Sequence, residues 1–152
     1  MPIAVGQKAP EFTLKDQNQN DASLAGLKGH NVVLAFYPLD FSPVCSKEHA
    51  CFTDDLKDFE GLKAKVLGLS VDSVWAHKAF AEKLKISYPL LADFHPKGAV
   101  ASKFGLYLED KGITNRATVI IDKAGVVRYV KVYDIPQQRD NSELVAELKK
   151  LS

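Results

Sequence analysis

Apolar and polar positions alternate along the chain with a period that changes several times, and each change marks an element. Residues 10–24, PEFTLKDQNQNDASL, are two short extended pieces around a polar, Asn-rich turn, which predicts an N-terminal β-hairpin. NVVLAFYP (31–38) is a continuous apolar run rich in β-branched and aromatic residues, the pattern of a parallel, central strand buried on both faces. From Val44 on, Phe52, Leu56 and Phe59 recur at i, i+4 and i+7, so a helix follows, and AKVLGLSVD (64–72) returns as a second buried strand. Ser73 can cap a helix carrying Trp75, Ala76, Phe80 and Leu84. PLLAD (89–93) is a short strand, and GAVASKFGL (98–106) is a short helix ending at Gly105. ATVIID (117–122) and VVRYVKVYD (126–134) flank the turn KAG as an antiparallel hairpin, and ELVAELKKL (143–151) aligns Leu144, Leu148 and Leu151 on one helical face.

A βαβ half, a β-hairpin and a closing helix make a thioredoxin-like layout: an α/β fold with a mixed central β-sheet flanked by helices and an N-terminal β-hairpin. Residues 1–152 contain no internal repeat, low-complexity tract or Gly/Ser linker, so one domain is the simplest account. A chain of this size buries roughly 70% of the surface its unfolded form exposes and needs no staples to fold. Fold alone does not assign function.

Charge narrows the choice of partners. Twenty Lys plus Arg against 19 Asp plus Glu leave a net charge of +1, with no basic excess for nucleic acid or a membrane surface. No basic segment followed by an apolar stretch opens the chain, and runs such as VVLAFY (32–37) are far below membrane-spanning length, so a soluble, cytoplasmic protein is expected. Two cysteines do not make a disulfide framework, and in a reducing compartment a bond between them would be transient or catalytic.

That directs attention to LDFSPVC (39–45). If the strand ends near Pro38, Ser42 is placed as helix N-cap, Pro43 at the first helical position and Cys45 in the first turn. The helix's positive end favours a thiolate there. A lower pKa by itself does little, however. Moving a thiol from about 8.5 to about 6 raises the thiolate fraction roughly thirtyfold, while intrinsic nucleophilicity falls about tenfold. A fast cysteine enzyme must gain most of its rate from donors aimed at charge that develops in the transition state.

Donors are present in a recognisable order: Pro38, Ser42 and Cys45 as PxxxSxxC, then Glu48, SVDSVWAH at 70–77, and Arg116 opening RATVIID. Together they resemble a peroxiredoxin along almost the whole chain. DQNQ (16–19), FHPKGAV (94–100) and GITNR (112–116) look most like the one-cysteine alkyl hydroperoxide reductase E branch. The resemblance implies a thiol-dependent peroxidase for hydrogen peroxide and organic hydroperoxides that works through a sulfenic acid on Cys45. Arg116 and Ser42 would stabilise the leaving oxygen, Pro38 would shield the sulfur, and Glu48 would orient Arg116. Ser42 stands where the family more commonly has threonine; the hydroxyl survives and the rotamer-holding methyl does not. No metal, haem or flavin is implied. Thioredoxin, a glutaredoxin-like protein or a low-molecular-weight thiol would be the reductant, and family habit suggests a homodimer.

Several other readings compete. Cys51 could resolve the sulfenic acid in an atypical two-cysteine, Q-type-like scheme through a Cys45–Cys51 disulfide. On a continuous helix, however, residues six apart have Cα atoms roughly 10 Å apart, and a disulfide wants about 4.4 to 6.8 Å. Q-type members place that cysteine five residues on, so Cys51 is read as mainly a core or incidental residue. A thioredoxin-like thiol-disulfide oxidoreductase would need a CxxC, and position 42 is Ser. A non-enzymatic scaffold would have no reason to keep Arg116 and Ser42 with Cys45. The spacing of Cys45, His49 and Cys51 does not suit a metal. Trp75 and His77 are assigned packing and surface roles.

Overall fold

The computed structural model describes residues 1–137 and 140–151, with the side chains of Val44, Cys45, Glu48 and Cys51 outside the described residues. The predicted N-terminal hairpin is β1 (Thr13–Lys15) paired antiparallel with β2 (Asp21–Ser23). Its turn is held by the Asp16 carboxylate, which accepts from the backbone N–H groups of Asn18 and Asn20. The long apolar run is β3 (Asn31–Phe36), buried at every residue. After it come α1 (Pro43–Gly61), β4 (Ala64–Ser70), α2 (Val74–Leu84), β5 (Leu90–Ala92) and α3 (Ala99–Lys103). A short hairpin of β6 (Tyr107–Leu108) and β7 (Ile113–Thr114) precedes β8 (Arg116–Ile121), β9 (Val127–Tyr133) and α4 (Asn141–Lys149).

Five strands form the central sheet in the order β5-β4-β3-β8-β9. β3 runs parallel to β4 and antiparallel to β8, so the sheet is mixed, as the layout predicted. Because side chains alternate across a strand, the same strands line two cores. Val32, Leu34, Phe36, Leu67, Leu69, Ala117, Val119 and Ile121 meet Phe12, Leu24, the α3 residues Val100 and Ala101, and Phe104 just after α3 on one face. Val33, Ala35, Val66 and Ile120 meet Phe52 and Phe59 of α1, Phe80 of α2 and Leu144 and Leu148 of α4 on the other. The burial of each large apolar side chain contributes about 1.5 to 3 kcal/mol, which makes these two layers the main source of stability.

The edge strand β5 is covered by a side chain rather than a strand. Gln17, in the hairpin turn, donates from its amide to the Tyr88 carbonyl at 3.0 Å and accepts from the Leu90 N–H at 2.8 Å. That arrangement satisfies backbone groups that an exposed edge would leave open for another chain. No helix among the described residues is long and apolar enough to cross a membrane.

Candidate active site

β3 carries the chain to the C-terminal end of the sheet, and a six-residue loop turns it into α1. The Tyr37 N–H still donates to the Leu69 carbonyl at 3.1 Å, after which buried Pro38, lacking an N–H, ends the ladder. Phe41 sits at φ 68°, a left-handed conformation that costs a non-glycine residue of order 1 kcal/mol or more. Its ring packs on Phe80 at 5.1 Å, beneath the Lys83 ammonium at 5.9 Å. Ser42 is extended, and its carbonyl accepts the first helical bond from Ser46 N at 2.9 Å, with Pro43 opening the helix.

Ser42 therefore occupies the N-cap position expected of it, but its hydroxyl does not cap. It donates instead to the Leu39 carbonyl at 3.1 Å. The first-turn N–H groups are thus left without that side-chain acceptor, and Cys45 lies in that first turn. An uncapped helix start keeps its partial positive charge for an anion, whether a thiolate or a leaving oxygen.

Arg116 begins β8. The register pairs Phe36 with Ala117, so one step further sets Arg116 opposite Tyr37 and, by alternation with Ile120, on the face that α1 and α2 cover. Its side chain is buried to 1% exposure, and Nε donates to the Ile135 carbonyl at 2.8 Å, which fixes the root of the guanidinium fork. Pro38, Ser42 and Arg116 therefore gather at the end of the sheet where α1 begins. The side chains of Cys45, Glu48 and Cys51 lie outside the described residues, while their backbone belongs to the unbroken helix Pro43–Gly61.

Beneath the loop is a buried polar cluster that the sequence reading did not assemble. The Tyr37 hydroxyl donates to Asp40 Oδ1 at 2.6 Å, and Asp40 Oδ2 lies 2.7 Å from His77 Nδ1. His77 Nε2 lies 3.0 Å from the Leu91 carbonyl oxygen. A carbonyl only accepts, so Nε2 carries a hydrogen, and one proton lies between Nδ1 and the Asp40 carboxylate. Asp40 N donates to Asp72 Oδ2 at 2.9 Å, and the Ser70 hydroxyl donates to the same oxygen at 2.5 Å. Burial, then the charge and hydrogen bond of Asp40, hold the Tyr37 phenol well above its ordinary pKa, so it stays a donor. Burial and the Asp40 charge push the Asp72 carboxyl up, against the pull of its hydrogen bonds from Ser70 and Asp40. Asp40, Asp72 and His77 bring three donor atoms within 4.8 Å of one another, but those atoms are turned to each other and to protein N–H and O–H groups.

His77 is fully buried, which agrees with a packing role and excludes a surface one, whereas Trp75 is 65% exposed. The buried stripe of α2 is His77, Phe80 and Ala81, with half-buried Leu84 packed against the same core. That is a better i, i+3, i+4, i+7 series than the one starting at Trp75, and it was the signal in the sequence that could have found His77.

The chain matches the AhpC/TSA family over residues 5–130. Alkyl hydroperoxide reductase E of Mycobacterium tuberculosis (strain ATCC 25618 / H37Rv) is 39% identical over 139 residues, 91% of each chain. Among solved structures, peroxidoxin BcpB from Mycobacterium tuberculosis is 31% identical, with a TM-score of 0.86 and 97% of both chains covered. The reduced 2-Cys peroxiredoxin of Plasmodium vivax is 28% identical, with a TM-score of 0.89 over 97% of this chain and 81% of its own.

Proposed function

This chain belongs to the AhpC/TSA family and is a peroxiredoxin, a thiol-dependent peroxidase, and we propose that its chemistry runs through Cys45 with an external thiol as reductant. The observation that carries the assignment is the position of Cys45 in the first turn of an uncapped helix, at the end of the sheet that holds buried Arg116. The Cys45 thiolate attacks the terminal oxygen of the peroxide, the S–O bond forms as the O–O bond breaks, and the departing alkoxide or hydroxide takes a proton to become alcohol or water. Arg116 and the helix N–H groups stabilise that departing charge.

Ser42 supplies a further donor. Its O–H rests on the Leu39 carbonyl, and rotation about one bond turns it toward the substrate. Pro38 excludes water without adding a competing donor, and Glu48 orients Arg116. The sulfenic acid then condenses with an external thiol, releasing water and forming a mixed disulfide. A second thiol breaks that bond and restores Cys45. Thioredoxin, a glutaredoxin-like protein or a small thiol fits this role, and a reducing cytoplasm supplies all three. Cys51 is six positions along a helix that shows no break, which supports leaving it out of the cycle.

A homodimer is supported by exposed Leu39, Phe41, Trp75 and Phe94, which follow the C-terminal ends of the three parallel strands β3, β4 and β5. Light scattering reads that state directly. The test of the chemistry is oxidation of the reduced protein by limiting hydrogen peroxide, with trapping by dimedone and mass spectrometry. A Cys45 adduct in both wild type and Cys51→Ser supports the one-cysteine cycle. A Cys45–Cys51 disulfide that thioredoxin turns over overturns it.

A further inference from the structure

We propose that His77 is a positioning residue of the peroxidase reaction, clamping the loop from Tyr37 to Ser42 through its proton-sharing contact with Asp40 so that Ser42 and the start of α1 meet the peroxide in reactive geometry. The inference rests on the reading of Cys45 as the peroxide-reducing thiol. Among the described residues, the side-chain anchors of the loop centre on Asp40. Asp40 is its midpoint and is held from three directions: by Tyr37 below, by His77 on α2, and through its own N–H by Asp72 on the β4–α2 connection. His77 in turn is fixed at its far nitrogen by the Leu91 carbonyl of β5. One side chain therefore links the catalytic loop to α2 and to the second neighbour of β3 in the sheet.

Two further observations point the same way. The residue after Asp40 is the left-handed Phe41, and a strained residue persists only where its surroundings over-determine it. Buried polar atoms this numerous are unfavourable in a core that leucine and phenylalanine could fill, and their worth lies in permitting a single arrangement. A displacement of about 1 Å in a group that aligns a reaction can cost on the order of a hundredfold in rate.

The test compares full-length wild type with His77→Leu, His77→Asn and Asp40→Asn. Three quantities are measured on each: thermal unfolding, the stopped-flow rate of Cys45 oxidation by hydrogen peroxide, and the alkylation rate of Cys45 by iodoacetamide. Alkylation reads thiolate availability and needs no alignment by Ser42. His77→Leu is expected to lower the peroxide rate about 10- to 100-fold and the alkylation rate less than about threefold. His77→Asn, which keeps an N–H in the place of Nδ1, is expected to recover at least half of that loss on a logarithmic scale. A peroxide-specific loss below about fivefold in the folded His77→Leu protein, or equal losses in both reactions, overturns the proposal. If His77→Leu does not fold, Asp40→Asn decides by the same criterion. Peroxide turnover that survives in Cys45→Ser would instead defeat the reading of Cys45, whatever the His77 variants do.

Discussion

The two faces of the central sheet are made from alternate residues of the same strands, yet they are built differently. The face beneath α3 and the N-terminal hairpin is apolar along β3, β4 and β8, from Ile121 and Val32 through Leu34 and Val119 to Phe36 and Leu69, and its buried carboxylate, Asp93 after β5, is taken up by the Val100 and Ala101 N–H groups at the start of α3. The face beneath α1, α2 and α4 starts alike, with Val33, Val66 and Ile120, and then turns polar toward the loop ends. There it presents Tyr37, Ser70 and Arg116, met from the helices by His49 and His77. A sheet can hold a dense apolar layer on one side and, because of it, tolerate buried polar groups at one end of the other. Stability and chemistry are thereby assigned to different surfaces of the same five strands.

The largest effect that would test this division is on the apolar face. Phe104 is fully buried and touches the rings of Phe12 at 6.3 Å and Phe36 at 5.3 Å. Phe104→Ala should cost about 3 to 5 kcal/mol, which lowers Tm by roughly 10 °C in a domain of this size. Peroxide oxidation measured well below Tm should stay within about twofold of wild type, and a parallel collapse of rate would show that the faces are not separable. The converse change is Arg116→Ala. It should raise the barrier to oxidation by about 2 to 4 kcal/mol, as loss of an oxyanion donor does, while the protein still folds. Stopped-flow rates close to wild type would remove Arg116 from the mechanism.

The same division separates what was legible in the sequence from what was not. The run Asn31–Tyr37 announced a strand buried on both faces because no polar residue interrupts its alternation, and the turn KAG marked the β8–β9 hairpin because glycine suits its left-handed position at Gly125, φ 84°. The hairpin of β6 and β7 was missed, since two residues per strand carry no measurable period. The polar cluster was missed for a different reason. Asp40 is more than 30 residues from both Asp72 and His77, and only the parallel register of β3 and β4 brings it to them. Ser42 was legible as an N-cap position but not in its hydroxyl, whose choice of the Leu39 carbonyl is a matter of local geometry. The roles proposed for Cys45, Arg116 and Pro38 come from resemblance rather than from pattern, because three residues so far apart carry no common period.

Where the two regions of the polar-bearing face meet, Gly68 offers a smaller perturbation. A Cβ there would lie 2.7 Å from Leu90 Cδ2, 3.2 Å from His49 Cε1 and 3.3 Å from Tyr37 Cε1. Leu90 can yield, since only the tip of its side chain intrudes. His49 and Tyr37 are tied through the Tyr88 and Asp40 hydrogen bonds and yield less readily. Gly68→Ala should therefore cost about 1 to 3 kcal/mol by overpacking. Unlike Phe104→Ala, it should also slow peroxide oxidation several-fold, because the displaced ring is the one that holds Asp40. Chemical denaturation and stopped-flow oxidation on one preparation would separate the two losses. A stability change without a rate change would mean that Tyr37 does not transmit its position to the loop.

The smallest effect is expected at Ser73, which accepts from the Ala76 N–H at 3.1 Å and caps α2 four residues before His77. Removal of such a cap costs about 1 kcal/mol of stability. The helix has a second restraint, however, in the contacts of His77 with Asp40 and Leu91, and these lie one turn further into α2 than the cap. If that buried contact sets where α2 sits relative to the loop, Ser73→Ala should lower the unfolding free energy by about 1 kcal/mol and leave the peroxide oxidation rate within about twofold. A rate loss as large as that of a His77 variant would place the control of the loop at the helix terminus instead. The polar end of this face would then be held from its rim rather than from its core.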